Sequence, residues 1–170
     1  TAPENLGPGI NAESLDASPH LSPDSLILTF ASKRDNSRHF YECRRDNTDA
    51  AFGTPKAIEE VGGWPCTPWI TPDRRTLVYM NPGGPGNKGS SQDLYMRQRA
   101  DEKAPWGPEV NLDSVNHLGH DQSPCLTSDG LTLYFGSLRG GGYGGHDMWK
   151  ATRESLDAPF GDITNLGRTI

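Results

Sequence analysis

A threefold internal repeat constrains the fold of this chain more than any other feature of its sequence. Each copy opens with the motif Ser/Thr-Pro-x-apolar-Ser/Thr-x-Asp. The three copies of the motif occupy residues 18–24, 67–73 and 123–129. Later in each copy an aromatic residue precedes a glycine, and Phe52, Trp106 and Phe160 stand 54 residues apart each time. A fixed period of this length indicates one supersecondary unit repeated along the chain.

Each unit carries the alternating pattern of β-strands. Apolar side chains occupy every second position after the opening motif, as in Leu131-Leu133-Phe135. A polar loop and a second apolar run follow, and that run ends on a basic residue in each unit, at Arg45, Arg99 and Arg153. A last strand is expected around Ile58, Leu112 and Leu166. No segment keeps a helical period for three turns, so the pattern predicts four short strands per unit.

The repeat also predicts the organisation of the domain. We expect one all-β domain over residues 1–170, divided into units at approximately 11–61, 62–115 and 116–170. Residues 1–10 form an additional edge segment, because Asn5-Leu6-Gly7 recurs in the same phase as Asn165-Leu166-Gly167.

Composition excludes several classes of protein. Leu, Ile, Val and Phe make up only 30 of the 170 residues, which falls below the roughly 20% at which disorder is suspected. These residues recur at the same places in each unit, however, and 20 Gly with 14 Pro suit repeated turns. No window approaches the roughly 18 apolar residues of a membrane span. A net charge of −6 without a basic stripe gives no support to nucleic-acid binding.

The motifs resemble those of a known repeat family. The third unit combines Gly144-Gly145-His146-Asp147-Met148-Trp149 with Ala158-Pro159-Phe160-Gly161. Together with the opening motif, these segments resemble the WD-like β-propeller repeats with a Pro-Asp signature, the type found in the Tol-system periplasmic propeller. The second unit departs from this pattern at Arg74-Arg75 and Asn81-Pro82, and the first has His39 where Asp93 and Asp147 stand.

This resemblance implies three four-stranded β-propeller blades and a periplasmic or secreted location. It implies no particular activity, because one architecture hosts many unrelated functions. Propellers typically have four to eight blades, so three units do not close a ring alone. Two copies could form a six-bladed ring as a homodimer, or the three blades could be part of a longer propeller. A third arrangement is a β-trefoil-like threefold fold, or a β-prism.

One rim of such a propeller collects the candidate ligand-binding residues. The loop that enters the inner strand and the loop between the second and third strands lie at the same end of each blade. Glycines flank Trp64 and Tyr143 in these loops, so both rings could be presented with little cover. Sugars bind aromatic faces together with hydrogen-bonding polar groups. We therefore expect a ligand-binding set of Trp64, Tyr143, Arg34, Arg139 and His146. Trp69, Tyr95, Trp106 and Trp149 are expected to pack within the blades.

A divalent metal site is a second hypothesis for the same rim. His120, Asp121 and His146 lie in two loops of the third unit, and imidazole with carboxylate suits a transition metal. Solvated loop histidines and a turn-capping aspartate are the simpler interpretation, because the spacing matches no strict motif. Apart from this metal no cofactor is expected. The oxygen-rich segment 46–49 does not fit a calcium loop. No catalytic motif occurs, and no catalytic residue is assigned.

The three cysteines carry little information on chemistry. Cys43, Cys66 and Cys125 show no C-x-x-C spacing, so a zinc ribbon is not expected. They are expected to be small packing residues, although the spacing leaves a single disulfide open.

Together these features favour a non-enzymatic binding or scaffold module of the cell envelope or exterior. Its ligand would be a glycan or a protein held at one rim. The alternative is a metal-dependent polysaccharide lyase or hydrolase that uses His120, Asp121 and His146.

Overall fold

A computed structural model describes residues 2–87 and 92–170. Within them the chain forms twelve β-strands. The strands are β1 (Asp16–Leu21), β2 (Ile27–Ser32), β3 (His39–Arg44), β4 (Lys56–Ala57), β5 (Cys66–Ile70), β6 (Thr76–Asn81), β7 (Asp93–Gln98), β8 (Val110–Asn111), β9 (Asp121–Leu126), β10 (Thr132–Ser137), β11 (Asp147–Thr152) and β12 (Gly161–Asn165). In this part of the chain no helix is long and apolar enough to cross a membrane.

The strands form three separate antiparallel sheets of four strands each. Each sheet follows chain order, β1 to β4, β5 to β8 and β9 to β12, and we call them blades 1, 2 and 3. The first strands lie side by side, with β5 in contact with both β1 and β9. The prediction of an all-β fold of three four-stranded propeller blades is confirmed. The β-trefoil-like alternative is wrong, because each unit completes a sheet of its own.

The outermost strands are shorter than the sequence suggested. Ile58, Leu112 and Leu166 follow β4, β8 and β12 rather than lying within them. Their amides nevertheless donate to carbonyl oxygens of the third strand, at 2.7, 3.0 and 3.0 Å. The edge pairing therefore continues for one residue beyond each strand.

The opening motif forms a bulge at the inner strand of every blade. The residue before the first proline has a positive φ in each copy: Ser18 at 54°, Thr67 at 49° and Ser123 at 52°. The register between the first and second strands shifts in each blade. Proline lacks the N–H that a regular ladder requires and is tolerated at bulges. The repeated Ser/Thr-Pro pair therefore marks this irregularity.

The core lies between the blades. Phe40 of blade 1 packs with Tyr79 and Tyr95 of blade 2 in one buried cluster. Met96 of blade 2 and Phe135 of blade 3 belong to a second buried cluster. A third cluster covers the other face of blade 1, where Ile10 of the edge segment packs against Leu28, Phe30, Tyr41 and Cys43. Few apolar residues are needed because each sheet is thin and shares its faces.

The recurring arginines and aromatic residues belong to one structural device. In each blade the arginine after the third strand lies over the aromatic ring that precedes glycine. The pairs are Arg45 over Phe52 at 4.6 Å, Arg99 over Trp106 at 4.1 Å and Arg153 over Phe160 at 4.5 Å. The same guanidinium donates through Nε to a backbone oxygen of the β-turn between the first two strands, at 2.7–2.9 Å. Each arginine therefore joins the turn to the outer loop of its own blade.

Candidate binding rim

The candidate residues lie at the end of the blades where β1, β5 and β9 begin. We define the aromatic rim as the loops at this end, residues 11–15, 33–38, 58–65, 112–120 and 138–146. Antiparallel pairing places the starts of the inner strands and the loops after β2 and β10 at the same end. Backbone hydrogen bonds join these loops, from the amide of Lys33 to Leu15 and from the amide of Leu138 to His120, both at 3.0 Å.

Trp64 presents its ring on the rim between blades 1 and 2. The side chain is 44% exposed, and its backbone N–H donates to Oδ1 of Asn81 at 3.2 Å. Gly63 has a φ of +88°, and a Cβ at this position would approach Oδ1 of Asn81 to 2.9 Å. The glycine before Trp64 is therefore required by both backbone conformation and space. Lys33 Nζ lies 4.4 Å from the centroid of the indole ring.

Tyr143 is the second exposed ring and lies on blade 3. Its side chain is 56% exposed, and the Arg168 guanidinium lies 4.8 Å from the ring centroid. The Tyr143 N–H donates to Oδ2 of Asp147 at 2.6 Å. A Cβ on Gly142 would lie 1.8 Å from the same oxygen. Gly142 is therefore required at this position before Tyr143, because the absence of a side chain allows the loop to approach the Asp147 carboxylate closely.

Arg34 and Arg139 occupy equivalent positions and make equivalent bonds. Arg34 pairs with Asp16 at 3.2 Å, and Arg139 pairs with the fully buried Asp121 at 2.8 Å. Each guanidinium also donates to the segment that precedes its blade, at the carbonyl oxygens of Ile10 and Val115, both at 2.7 Å. Both arginines therefore link their own blade to that segment. A ligand that binds either guanidinium would have to compete with these hydrogen bonds.

Blade 2 lacks this pair of charges. The positions that correspond to the aspartate and the arginine are Pro65 and Gly83. Asn81, which is buried, instead bonds Trp64 and donates to the carbonyl oxygen of Gly62 at 3.3 Å. At blade 2 the rim is therefore held by hydrogen bonds of the Asn81 amide group, which also donates to the Glu109 carboxylate at 3.0 Å, and this is where Trp64 is exposed.

The residues of the predicted metal site lie near one another, but the Asp121 carboxylate is bonded by other groups. The rings of His120 and His146 have centroids 6.4 Å apart. Both oxygens of Asp121 are bonded, Oδ1 by Arg139 and Oδ2 by the N–H of His117 at 2.7 Å. Among the described residues, no group of three or more His, Cys, Asp or Glu side chains is placed to hold a metal ion. The metal ligands stay a prediction without geometric support here.

A groove of about 650 Å³ opens between blades 1 and 2, and of the aromatic rim only Ile58 and Glu60 line it. Part of its charge is paired within the chain, whereas Lys56 and Lys103, which also line it, form no ion pair among the described residues. Arg44 pairs with Glu102 at 2.6 Å, and Arg74 beside it pairs with Glu42. We place the candidate site at the rim because the aromatic ring that lines the groove, Trp106, is buried and lies under Arg99, whereas the rim presents two exposed rings.

The cysteines are free thiols. Cys43 is buried, and burial raises the pKa of its thiol to about 11. Burial also raises the thiol pKa of Cys66 and of Cys125. All three remain protonated at neutral pH, as expected of packing residues rather than nucleophiles.

Sequence reasoning did not single out Arg38, which the structure places beside Trp64. Its guanidinium lies 5.8 Å from the indole centroid, and the residue is only 8% exposed. The sequence offers little signal for this placement, because Arg38 is one of several charged residues in the loop after β2.

Comparison with known proteins supports the fold rather than an activity. No protein-family model matches the chain, and no curated protein sequence is significantly similar to it. Among solved structures, TolB from Acinetobacter baumannii is similar at 16% identity with a TM-score of 0.64, over 94% of this chain and 34% of that one. An α-L-arabinofuranosidase from Podospora anserina is similar at 14% identity with a TM-score of 0.55, over 96% and 53%.

The β-propeller domain of the Trilobed protease from Pyrococcus furiosus also matches, at 12% identity and a TM-score of 0.51, over 91% of this chain and 43% of that one. The chain thus spans about a third of TolB and about half or less of the other two structures. At these identities the likeness shows the fold alone, so the comparisons identify this chain as three blades of a β-propeller.

Proposed function

We propose that this chain is a non-enzymatic binding or scaffold module that recognises a glycan or a protein through the aromatic rim. The observation that carries the proposal is the exposure of two large rings, Trp64 and Tyr143, each with a cation against it. The resemblance to periplasmic propeller repeats favours a location in the periplasm or outside the cell.

The exposed rings are held in place rather than left loose. Trp64 and Tyr143 each bond through the backbone to a side chain of their own blade, Asn81 and Asp147 respectively. Fixing a side chain before binding reduces the entropy lost on association. Rings that combine an apolar body with a polar edge are favoured at binding surfaces. The rim therefore has the features of a preorganised contact surface.

The shared fold does not choose between binding and catalysis, since enzymes and TolB both adopt it. The rim favours binding, because Arg34, Arg139 and Asp121 are engaged in ion pairs within their own blades. We therefore assign ligand contacts to Trp64 and Tyr143, and to His146, which is exposed in the loop before β11.

The test compares rim variants with a matched control. Trp64→Ala and Tyr143→Ala remove the exposed rings, whereas Leu156→Ala removes an exposed apolar side chain in the loop after β11. Binding is measured by biolayer interferometry to a panel of soluble neutral and acidic polysaccharides and to purified envelope proteins. We expect at least one ligand to lose tenfold or more in affinity with each rim variant and to bind Leu156→Ala like the wild type. Wild-type binding by both rim variants, or no binding to any ligand, would contradict the proposal.

A second part of the proposal concerns the partner that completes the ring. Blade 3 ends the array with an open face, on which Tyr134 is half-buried and Met148 is 43% exposed. The opposite face of this blade, with Phe135 and Trp149, is buried against blade 2. We propose that a second copy, or further blades of a longer chain, covers the open face.

A further inference from the structure

The loop after β2 places two cations beside the exposed ring of blade 2. Lys33 Nζ lies 4.4 Å from the centroid of Trp64, and the Arg38 guanidinium lies 5.8 Å from it. Lys33 is half-buried, whereas Arg38 is 8% exposed. A cation over an aromatic face is attracted by the ring, so this attraction helps to hold Lys33 and Arg38 beside Trp64.

The charge of Arg38 is not balanced within the described residues. No carboxylate lies within ion-pairing distance of Arg38 or Lys33 there, and Nε of Arg38 has no hydrogen-bond partner. The uncharged thiol of Cys66 lies beside the guanidinium. Two other arginines that are equally buried make more bonds than Arg38, although one nitrogen of each also lacks a hydrogen-bond partner and Arg153 forms no ion pair among the described residues. Arg74 pairs with Glu42, and Arg153 donates to two backbone oxygens, of Gly130 and Leu156.

A buried guanidinium without an anionic partner is unfavourable, because it loses hydration without a compensating bond. An incoming carboxylate would supply that partner. The planar guanidinium suits carboxylate oxygens, which it can bind with two parallel hydrogen bonds. Lys33 would add a second positive charge at the same place. The chain as a whole has a net charge of −6, so this cationic spot stands out against an acidic background.

We propose that Lys33, Arg38 and Trp64 form a subsite for the carboxylate of an acidic polysaccharide. The carboxylate lies between the two cations, and the sugar ring packs against the exposed part of the indole. This inference rests on the proposed function of the rim and narrows its ligand to a uronate-containing glycan. Tyr143 with Arg168 repeats the combination of exposed ring and cation on blade 3, which suits a ligand with charges along its length.

The test uses one polysaccharide in its charged and its neutral form, together with two polyanions of different chemistry. Wild-type protein is titrated with polygalacturonate, with its fully methyl-esterified form, with dextran sulfate and with polyglutamate. We expect polygalacturonate to bind at least tenfold more tightly than the neutral ester, and its affinity to fall with added salt. Equal affinity for ester and acid would overturn the carboxylate subsite while leaving rim binding in place. Tighter binding of dextran sulfate or polyglutamate would overturn the assignment to a uronate.

Substitutions test whether Lys33 and Arg38 cause the preference for the charged polysaccharide. Lys33→Gln and Arg38→Gln are each expected to weaken polygalacturonate binding tenfold or more, with binding of the ester unchanged. Lys103→Gln, which removes an exposed cation of the loop after β7, serves as the matched control and is expected to bind like the wild type. Arg38→Lys and the partly exposed Lys33→Gln keep the test valid if Arg38→Gln does not fold. Unchanged affinity in the folded variants would overturn the proposal. No binding by the wild type to any probe, the ester included, would count against the rim itself.

Discussion

At the scale of single residues, close approach distinguishes glycines that look alike in the sequence. Gly140 and Gly142 stand two positions apart in one glycine-rich loop, yet their surroundings differ. A Cβ at Gly140 would meet nothing within 4 Å, whereas a Cβ at Gly142 would overlap the carboxylate of Asp147. The conformation that presents Tyr143 therefore depends on Gly142 for space and on Gly141 for its φ of +90°, but not on Gly140.

We predict that Gly142→Ala disrupts the rim while Gly140→Ala does not. The added methyl group must displace Asp147 and break its bond to the Tyr143 amide. Destabilisation of about 1–3 kcal/mol is expected, which is typical of a lost buried or strained contact. Urea unfolding would measure it, and binding of any rim ligand should weaken in parallel. Equal stability of the two variants would show that the loop adapts without cost.

At the scale of elements, the turn between the first two strands is the most strictly repeated unit. In blade 3 the hydroxyl of Thr127 donates to Oδ1 of Asp129 at 2.6 Å, and the amide of Leu131 donates to the same oxygen at 2.9 Å. The amide of Thr132 donates in turn to the Thr127 hydroxyl at 3.0 Å. Blades 1 and 2 repeat these bonds around Asp24 and Asp73. Local side-chain chemistry therefore closes each hairpin.

These bonds lower the pKa of the turn carboxylates. The hydroxyl of Thr127 is the main cause at Asp129, as that of Ser22 is at Asp24. At Asp73 partial burial opposes the shift, but the bonds from Thr71 and the Arg75 amide outweigh it. A carboxyl whose folded pKa is depressed contributes stability above its unfolded pKa, near 3.8. This contribution is lost as the pH falls through the lower folded value.

We predict that Thr127→Val raises the pKa of Asp129, because the largest stabilising bond to the ionised form is removed. The carboxyl resonance of Asp129, followed by NMR as the pH is lowered from 6 to 2, would measure the change. Ser128→Ala alters an exposed neighbour in the same turn and is the control, for which no shift is expected. An Asp129 pKa that stays depressed in Thr127→Val would assign the effect to the Leu131 amide instead.

At the scale of the whole molecule, the two ends of the array differ. The outer face of blade 1 is covered by Ile10 of the edge segment, and Arg34 bonds that segment as Arg139 bonds the equivalent one before blade 3. The outer face of blade 3 is open and carries Met148. An uncovered sheet face of this kind favours association. Contact between unlike faces is head-to-tail and can close into a ring.

We predict that the chain forms a two-copy assembly in solution, with the open face of blade 3 against the next copy. Light scattering after gel filtration would give twice the mass of one chain, and Met148→Glu should reduce it to one. Val110→Glu places the same charge at an exposed position on β8, the outermost strand of blade 2, and should leave the mass unchanged. A wild-type mass of one chain would refute the assembly.

The repeat, the strand content and the propeller blades could be predicted from the sequence, because turn chemistry and alternating burial act over a few residues. The short-range hydroxyl–aspartate bonds and the prolines of the bulges could be anticipated from the opening motif. The sequence also indicates Trp64 and Tyr143 as exposed rings, because the glycines that flank them are neighbours in the chain.

Which charged side chains form ion pairs becomes visible only in the three-dimensional fold. Arg34, Arg139 and Asp121 are residue types typical of a binding site, but in the fold Arg34 pairs with Asp16 and Arg139 pairs with Asp121. Arg38 was inconspicuous in the sequence, and folding leaves it beside Trp64 without a carboxylate among the described residues. An ion pair forms only within a few ångströms, between residues that can be far apart along the chain. Periodicity cannot show whether a given charge has found its partner.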